Sequence, residues 1–250
     1  MRFFDDLHSC RQYDQWFDTL KGRHWFQREW ELIETILAPC SRDRLLDVGC
    51  GGGRHLLEWH SPGMRCMGLD ASIHMVELAR RRLGPSVPVE HGFAESLPFT
   101  DDHFDIVVLN KTLEFLDNPI VALKEAQRVA RKSVFIQVVN PFSPVGLKQA
   151  FRFLRDSFPY RPNHYFDLWT LKKLIGTAMG HPLHQWASTN TKPMFRSWKQ
   201  GGSHISTSPF GDLVAIRVDL AELVSKSALE FPHRKMAFTT LIHGATREGL

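Results

Sequence analysis

Cysteine is scarce in this chain, and its scarcity limits the kinds of site that the chain can carry. Only four cysteines occur among 250 residues, and no two of them have the C-x-x-C spacing that is typical of structural zinc sites. No H-E-x-x-H segment and no acid cluster has metal-ligand spacing, so we predict no metal site. Acidic residues follow Met1 closely where a secretion signal would have an apolar block, so we expect reduced thiols and a cytoplasmic location.

Long apolar runs and a strong net charge are also missing. No run of about 18 apolar residues occurs, so we predict no membrane span. The net charge is only +4, and the basic clusters at 80–82, 131–132 and 172–173 fall near predicted helix ends, where cations favour the helix dipole. We interpret these clusters as solvated surface and expect no nucleic-acid partner. The hydrophobic content of 43% suffices for one sizeable core.

The most informative segment is residues 45–55, with the sequence LLDVGCGGGRH. An apolar run ends in Asp47, and glycine then occupies positions 49, 51 and 53, which is typical of a buried strand that turns tightly beneath a nucleotide-like ligand. The helix predicted to follow offers free N–H groups to a carboxylate or phosphate. The segment does not match the dinucleotide pattern G-x-G-x-x-G, because its sixth position is Arg54, and it lacks the glycine–lysine pair of a P-loop.

Three further segments follow in order along the chain. Residues 64–70, MRCMGLD, indicate a strand that ends in Asp70 about 20 residues after the first glycine, where a carboxylate can accept hydrogen bonds from ribose hydroxyls. Ser72 is then a candidate N-cap for a helix. Residues 91–99, HGFAESLPF, lead into the strand-like FDIVVLN of 104–110, and residues 113–119, LEFLDNP, lead into another helix.

These four segments together resemble the class I S-adenosylmethionine-dependent methyltransferases, and among them the menaquinone/ubiquinone-biosynthesis-like (methyltransferase type 11) group. The resemblance covers roughly residues 40–140 and implies S-adenosylmethionine as cofactor and S-adenosylhomocysteine as product. The cofactor-binding residues that it implies are Tyr13, Asp47, Gly49, Cys50, Gly51, Asp70, Ala71, Ala94, Glu95, Asn110 and Lys111.

Two positions depart from the pattern of that group. Phe93 stands where many relatives carry an acid near the adenine amine, so recognition there would fall to backbone groups or to Glu95. Phe115 stands where a histidine is frequent, which argues against a mechanism that takes a base from this position.

Strand-like and helix-like segments alternate along the central part of the chain. Alternation predicts a parallel sheet with right-handed crossovers and a ligand at the carboxyl ends of its strands. We predict the α/β class, with a Rossmann-like, seven-stranded, mostly parallel sheet and helices on both faces. The predicted strands are 44–48, 64–69, 87–91, 104–110, 133–139, 183–189 and 213–219, and the predicted helices are about 53–60, 72–83, 118–131, 145–158 and 170–179.

Flanking segments complete a predicted single domain over residues 1–250. Aromatic residues crowd residues 1–39, and the YDQWF segment from Tyr13 resembles one that related enzymes fold over the cofactor, so we predict a helical N-terminal lid. The other predicted parts are a cofactor-binding core (40–140), an insert and helix that shape the acceptor pocket (141–182), the final strands (183–220) with a loop at 190–210, and a C-terminal tail (221–250).

Methyl transfer from a sulfonium is an in-line displacement that requires alignment but no covalent nucleophile. A base is needed only if the acceptor must lose a proton during attack. The catalytic residue is therefore left open. The first candidates for a base are His164 and Tyr165 in the insert, and the further candidates are Tyr160, His184 and His204. Aromatic residues in the lid and the insert favour a small-molecule acceptor. The sequence does not indicate an oligomeric state. An RNA or protein methyltransferase and a non-catalytic cofactor-binding partner subunit remain alternatives.

Overall fold

The computed structural model describes residues 3–37, 39, 42–60, 64–143, 146–147, 162–180, 184–189 and 205–220. Within them, one eight-stranded sheet carries helices on both faces. The strands are β1 (Arg44–Val48), β2 (Arg65–Asp70), β3 (Val89–His91), β4 (Phe104–Asn110), β5 (Ala130–Val139), β6 (His184–Thr189), β7 (Ile205–Ser206) and β8 (Leu213–Asp219). The helices are α1 (Leu7–Trp16), α2 (Leu20–Leu37), α3 (Arg54–His60), α4 (Ile73–Leu83), α5 (Pro119–Val129) and α6 (Leu168–Met179).

The strand order across the sheet is β3-β2-β1-β4-β5-β8-β6-β7. The first five strands are parallel, and β8, β6 and β7 are joined to β5 and to one another by antiparallel pairing. The predicted Rossmann-like fold is therefore confirmed. The sheet has one strand more than predicted, because Ile205 and Ser206, in the predicted loop at 190–210, pair with Ser188 and Thr189 of β6.

The start of α4 agrees with the sequence prediction, whereas the end of α5 does not. The Ser72 side chain caps α4 by accepting a hydrogen bond from the Met75 N–H at 3.3 Å. Helix α5 ends at Val129 rather than at 131, so Arg131 and Lys132 lie on β5. There both side chains pair with the buried carboxylate of Asp105, which corrects their assignment to a helix end.

The core consists of two apolar layers, one on each face of the sheet. Leu46 packs in the layer covered by α5 and α6, and its neighbour Leu45 packs in the layer covered by α2, α3 and α4. Burial of one large apolar side chain contributes about 1.5–3 kcal/mol. The apolar pattern stops near the carboxyl ends of the strands, where Asp47, Asn110 and Gln137 are buried. Polar groups buried at this edge mark it as the place for a ligand.

Several predicted features fall on residues that the structure does not describe. Most of the predicted helix at 145–158, the tail at 221–250, Tyr160 and His204 lie outside the described ranges. The division into the five predicted parts therefore stays a prediction. Among the described residues, no helix combines the length and apolar character needed to cross a bilayer.

Candidate cofactor and acceptor site

The loop after β1 uses glycine for two different reasons. Gly49 and Gly51 both have positive φ angles, of 76° and 53°, which side chains rarely adopt. A Cβ on Gly49 would lie 2.5 Å from the Thr112 side chain, so this position must be glycine for packing. A Cβ on Gly51 would meet no atom of the described residues within 4 Å. The open side of Gly51 is therefore where a ligand can approach the backbone.

Asp70, at the end of β2, is bound to the same loop. Its Oδ2 accepts a hydrogen bond from the Gly51 N–H at 2.8 Å, and its Oδ1 accepts one from the Ser72 N–H at 2.9 Å. Burial raises the pKa of Asp70, and these two N–H groups oppose that rise. A carboxylate oxygen can accept two hydrogen bonds, so each oxygen of Asp70 can also accept one from a ribose hydroxyl.

Asp47 lies beneath the loop with an unused hydrogen-bonding position. Its side chain is buried, and Oδ1 has no hydrogen-bond partner within the described ranges. Burial, together with the negative charge of Asp70, raises the pKa of Asp47 to about 8. An ammonium group on a ligand would favour the ionised carboxylate and supply the missing partner. The neighbouring Cys50 is buried, and burial raises the pKa of its thiol well above the ordinary value, which makes it a poor nucleophile.

Ala71, a predicted cofactor-binding residue, follows β2, and the segment predicted to line the adenine follows β3. Ala71 is exposed, and its carbonyl oxygen is 3.0 Å from His91 Nε2. Ala94 is buried, and the Glu95 carboxylate accepts a hydrogen bond from the Asn118 N–H at 3.4 Å. Phe93 is 48% exposed, so an apolar ring is open to a ligand or to solvent at this point.

Helix α1 lies against the glycine loop and is held there by three side chains, which we call the Asp14 latch (Asp14, Arg54 and Arg82). Asp14 Oδ1 accepts a hydrogen bond from Arg54 Nε at 3.0 Å, and Asp14 Oδ2 accepts one from Arg82 Nη2 at 2.7 Å. Arg82 also donates to the Gly52 carbonyl of the loop. The interpretation of 80–82 as solvated surface is therefore wrong for Arg82, which binds the lid to the loop.

Tyr13, the predicted lid residue, points into the site. Its ring makes edge contacts with Phe4 and Phe17 at centroid distances of 5.3 Å and 5.4 Å. Its hydroxyl forms a hydrogen bond with the Lys111 ammonium, and burial raises the pKa of Tyr13. The structure thus brings together two of the predicted cofactor-binding residues, Tyr13 and Lys111, although they are far apart in sequence.

Lys111 follows β4 in an unusual backbone conformation and forms a buried ion pair. Its φ angle is 56°, which is uncommon for a residue with a side chain. Its ammonium binds Glu29 Oε1 and lies 5.1 Å from the centre of the Phe17 ring. Burial alone would lower the pKa of Lys111 and raise that of Glu29, but their mutual attraction reverses both shifts. Both residues are therefore charged.

His55 and Asn110 extend this network toward the glycine loop. The His55 ring nitrogen Nε2 lies 3.4 Å from Glu29 Oε2 and 3.2 Å from Asn110 Nδ2. Sequence reasoning missed both Glu29 and His55. Glu29 could have been found, because it shares the helical spacing of the buried Leu32, Ile33 and Ile36 and so falls on the apolar stripe of α2.

Glu114 closes the network on the side of the predicted acceptor insert. Its Oε1 accepts a hydrogen bond from the Val139 N–H at 3.0 Å, whereas its buried Oε2 has no partner in the part of the chain that the structure describes. Burial raises the pKa of Glu114 to about 7. Its carbonyl accepts hydrogen bonds from the N–H groups of Asn163 and His164, at 2.7 Å and 3.0 Å. Glu114 was not predicted as a site residue.

The predicted base candidates differ in their distance from this network. The hydrogen bond to Glu114 places the His164 backbone next to it, and the adjacent Tyr165 is 48% exposed. His184 lies elsewhere, because it pairs with Val218 near the end of β8, at the opposite edge of the sheet from the glycine loop.

Gln137 on β5 is a further site residue that sequence reasoning missed. It is the register partner of Asn110, so the two side chains share the face of the sheet that α2 covers. Gln137 has no exposed surface, and neither its Nε2 nor its Oε1 has a partner among the described residues. Together with the residues above it completes the buried polar cluster (Glu29, His55, Asn110, Lys111, Glu114 and Gln137).

Comparison with known proteins identifies the family. Residues 46–136 match the family model described as "Methyltransferase domain". An uncharacterized protein of Methanocaldococcus jannaschii is 31% identical over 164 residues, which is 63% of this chain and 73% of that protein. A demethylmenaquinone methyltransferase of Roseiflexus sp. is 28% identical over 174 residues, which is 66% of this chain and 67% of that protein. The chain spans 44% and 26% of the length of two further curated relatives.

A solved structure agrees with this result. The crystal structure of a SAM-dependent methyltransferase of Thermotoga maritima, described there as a "possible histamine N-methyltransferase", is 25% identical and superimposes with a TM-score of 0.70. The match covers 85% of this chain and 97% of that one. The sequence motifs, the strand order and the glycine loop lead to the same conclusion as these matches: the chain belongs to the class I S-adenosylmethionine-dependent methyltransferase family.

Proposed function

We propose that this protein transfers the methyl group of S-adenosylmethionine to a small-molecule acceptor and releases S-adenosylhomocysteine. The observation that carries the proposal is that helix α1, held by the Asp14 latch, lies over the glycine loop beside a buried polar cluster. A site covered in this way suits an acceptor that fits beneath the lid. The names of two relatives, a demethylmenaquinone methyltransferase and a possible histamine N-methyltransferase, also indicate small acceptors.

Three groups near the carboxyl ends of β1 and β2 fit this cofactor. Among the described residues, Gly51 has open space beside its backbone and Asp47 Oδ1 lacks a donor, which an ammonium group would supply. The Asp70 carboxylate can accept hydrogen bonds from ribose hydroxyls. The cofactor supplies an activated methyl group on a positively charged sulfur. The protein's own part is to bind and orient both partners.

The lid contributes by excluding water and fixing orientation. Tyr13 and Phe17 bring apolar rings over Lys111, and Asp14 fixes the helix that carries them. Alignment of two reactants can lower a barrier by several kcal/mol, roughly 7–11 in the best cases, so a well-placed lid can supply much of the catalysis. No covalent nucleophile is needed for this chemistry.

Thermal unfolding with S-adenosylmethionine, S-adenosylhomocysteine and NAD tests the cofactor assignment. A ligand at about 100 times its Kd adds roughly 2.7 kcal/mol, which is a shift of about 5–10 °C for a chain of this length. We expect the first two ligands to raise Tm and NAD to leave it unchanged. A shift with NAD alone, or no shift with either adenosyl ligand, would contradict the proposal.

A methyl-transfer screen then separates small acceptors from the alternatives. Transfer of labelled methyl to a small-molecule library, with none to total RNA or to unfolded protein, is the expected result. Labelling of RNA, with binding that weakens steeply as salt rises, would favour the nucleic-acid alternative. Tight cofactor binding without transfer to any class would favour the non-catalytic partner subunit.

A further inference from the structure

The buried polar cluster contains more unpartnered polar atoms than its role as a cofactor contact explains. Gln137 leaves both amide atoms unpartnered, Asn110 leaves Oδ1 and Glu114 leaves Oε2, within the ranges that the structure describes. Each of these side chains is at least 91% buried. A buried unpartnered polar group costs about 1–3 kcal/mol, so several of them in one place indicate a site that a polar ligand completes.

These atoms lie in one place. The register joins Asn110 to Gln137, the Lys111 N–H donates to the Gln137 carbonyl at 2.7 Å, and Glu114 binds the Val139 N–H two residues farther along β5. Glu29 reaches the same point from α2 through its ion pair with Lys111. The cluster therefore lies under α2, at the carboxyl ends of β4 and β5, beside the glycine loop that follows β1.

The chemistry of the cluster selects the kind of ligand. Three of its four unpartnered atoms are oxygens that accept hydrogen bonds, and only Gln137 Nε2 is a donor. The one lysine, Lys111, is already paired with Glu29 and with the Tyr13 hydroxyl. An anion entering here would meet carboxylates and no unpaired lysine, whereas a group that carries N–H or O–H would find acceptors.

We propose that the buried polar cluster is the acceptor subsite, that it takes a neutral or cationic acceptor presenting N–H or O–H groups, and that Glu114 Oε2 receives the proton released on methylation. The inference rests on the proposed function, since it names the acceptor class for that same reaction. Aromatic side chains flank the cluster: Phe17 lies against Lys111, and Phe26 lies 4.7 Å from the His55 ring. An aromatic acceptor carrying such a group would meet these rings.

In the proposed step, an acceptor X–H exchanges its proton for the methyl group. X forms a bond to the methyl carbon while the carbon–sulfur bond breaks, and the sulfur keeps the electron pair of that bond. The proton of X moves to Glu114 Oε2, which leaves a neutral thioether, the methylated acceptor and a protonated carboxyl. The charged and titratable groups that face Glu114 are Lys111 beside it, Glu29 from α2 and Tyr13 from α1. A carboxyl with a pKa near neutrality, as burial gives Glu114, is suited to this transfer.

Binding of two ring probes of similar size tests the acceptor class. Phenol presents one O–H and benzoate presents an anion, and each is titrated by calorimetry into the full protein saturated with S-adenosylhomocysteine. We expect the wild type to bind phenol at least about tenfold more tightly than benzoate. We expect Gln137→Leu and Glu114→Gln each to lower the affinity for phenol about tenfold. Gln185→Leu and Glu90→Gln, which make the same exchanges at exposed strand positions, should leave phenol binding unchanged. Benzoate binding as tightly as phenol, or equal phenol binding in all five proteins, would overturn the inference.

Carbon NMR of labelled glutamate side chains tests the proton transfer without an assay of activity. We expect one carboxyl to titrate near neutral pH, to be absent in Glu114→Gln, and to change its titration when phenol binds. The variant keeps an oxygen that can accept from the Val139 N–H, so the fold should be retained. A near-neutral carboxyl that survives in the variant, or none in the wild type, would overturn the role of Glu114. Failure of S-adenosylhomocysteine to bind the wild type would instead overturn the proposed function.

Discussion

Asp14 of the lid and Arg54 of α3 form a two-point contact: Arg54 Nε donates to the Asp14 carboxylate at 3.0 Å, and Arg54 Nη2 donates to the Asp14 main-chain carbonyl at 2.8 Å. The pair joins the lid to the first residue after the glycine loop. We expect Asp14→Ala to weaken S-adenosylhomocysteine binding about tenfold, because charge-assisted hydrogen bonds in a partly buried position are lost. Calorimetry on the full protein measures this change.

Asp18 supplies the matched control for that experiment. It also pairs with Arg54, at 2.9 Å, but its side chain is 64% exposed. Exposed ion pairs contribute little, so Asp18→Ala should bind the ligand almost as the wild type does. Equal losses in the two variants would show that the charge of Arg54, rather than the position of the lid, matters.

Gly51 should be required for the ligand and not for the fold. Gly51→Ala places a Cβ in open space, at the cost of a strained positive φ of roughly 1–3 kcal/mol. We expect a folded protein with lower Tm that no longer binds S-adenosylhomocysteine, because the methyl group occupies the approach to the backbone. Gly180→Ala is the control: it too has a positive φ and an open Cβ position, but it follows α6, which packs on the other face of the sheet from α4. A Gly180 variant that lost binding equally would attribute the effect to instability.

The stability of the protein should depend on pH through Asp47. Its folded pKa of about 8 lies above its ordinary value of 3.8, so the folded state keeps a proton that the unfolded chain loses. Stability from this group is therefore complete at low pH and falls by roughly 1.4 kcal/mol per pH unit as pH rises toward 8. Asp47→Asn should remove this dependence, which urea unfolding between about pH 5 and about pH 8 measures. As a control, Asp117→Asn at an exposed position should show the same dependence of unfolding free energy on pH as the wild type. Parallel curves of unfolding free energy against pH for the wild type and Asp47→Asn would contradict the prediction.

Gln137 should lower stability in the wild type. Its buried amide lacks partners in the described structure, so Gln137→Leu should raise the free energy of unfolding by about 1 kcal/mol. Gln185→Leu, at an exposed position of β6, should change it by less than about 0.5 kcal/mol. Denaturant unfolding of the wild type, Gln137→Leu and Gln185→Leu measures these free energies of unfolding. A less stable Gln137→Leu variant would mean that the amide is already satisfied in the free protein.

Local sequence predicted the sheet well where strands are long and buried. The bounds of β1, β4 and β8 agree with the predicted 44–48, 104–110 and 213–219, because each strand is an apolar run that stops at polar or turn residues. Strand β7 was missed because two residues are too short to show a period. They are held by pairing with β6, which is a tertiary effect.

The candidate site was most readily predicted where a loop carries its own signature. Gly49, Gly51 and Asp70 could be found from spacing, because the turn and the strand end need those residue types. Gln137 could not be found in the same way, because it belongs to an ordinary strand and its importance depends on which elements the fold brings together. The helical spacing of Glu29 marks it as buried but does not reveal its partner Lys111. Arg82 resembled surface charge in sequence because its partner, Asp14, lies 68 positions away.

The position of β8 between β5 and β6 sets a lower limit on the part of this chain that can exist alone. The segment that carries the family signature, residues 46–136, contains neither α2 nor β8. Without β8, β5 would present a bare row of N–H and C=O groups to other molecules, and without α2 part of the apolar layer that contains Phe135 would lose its cover. We expect such a fragment to self-associate. The signature is therefore not a self-contained module, because the later strands cover an edge of the sheet that the earlier part would otherwise expose.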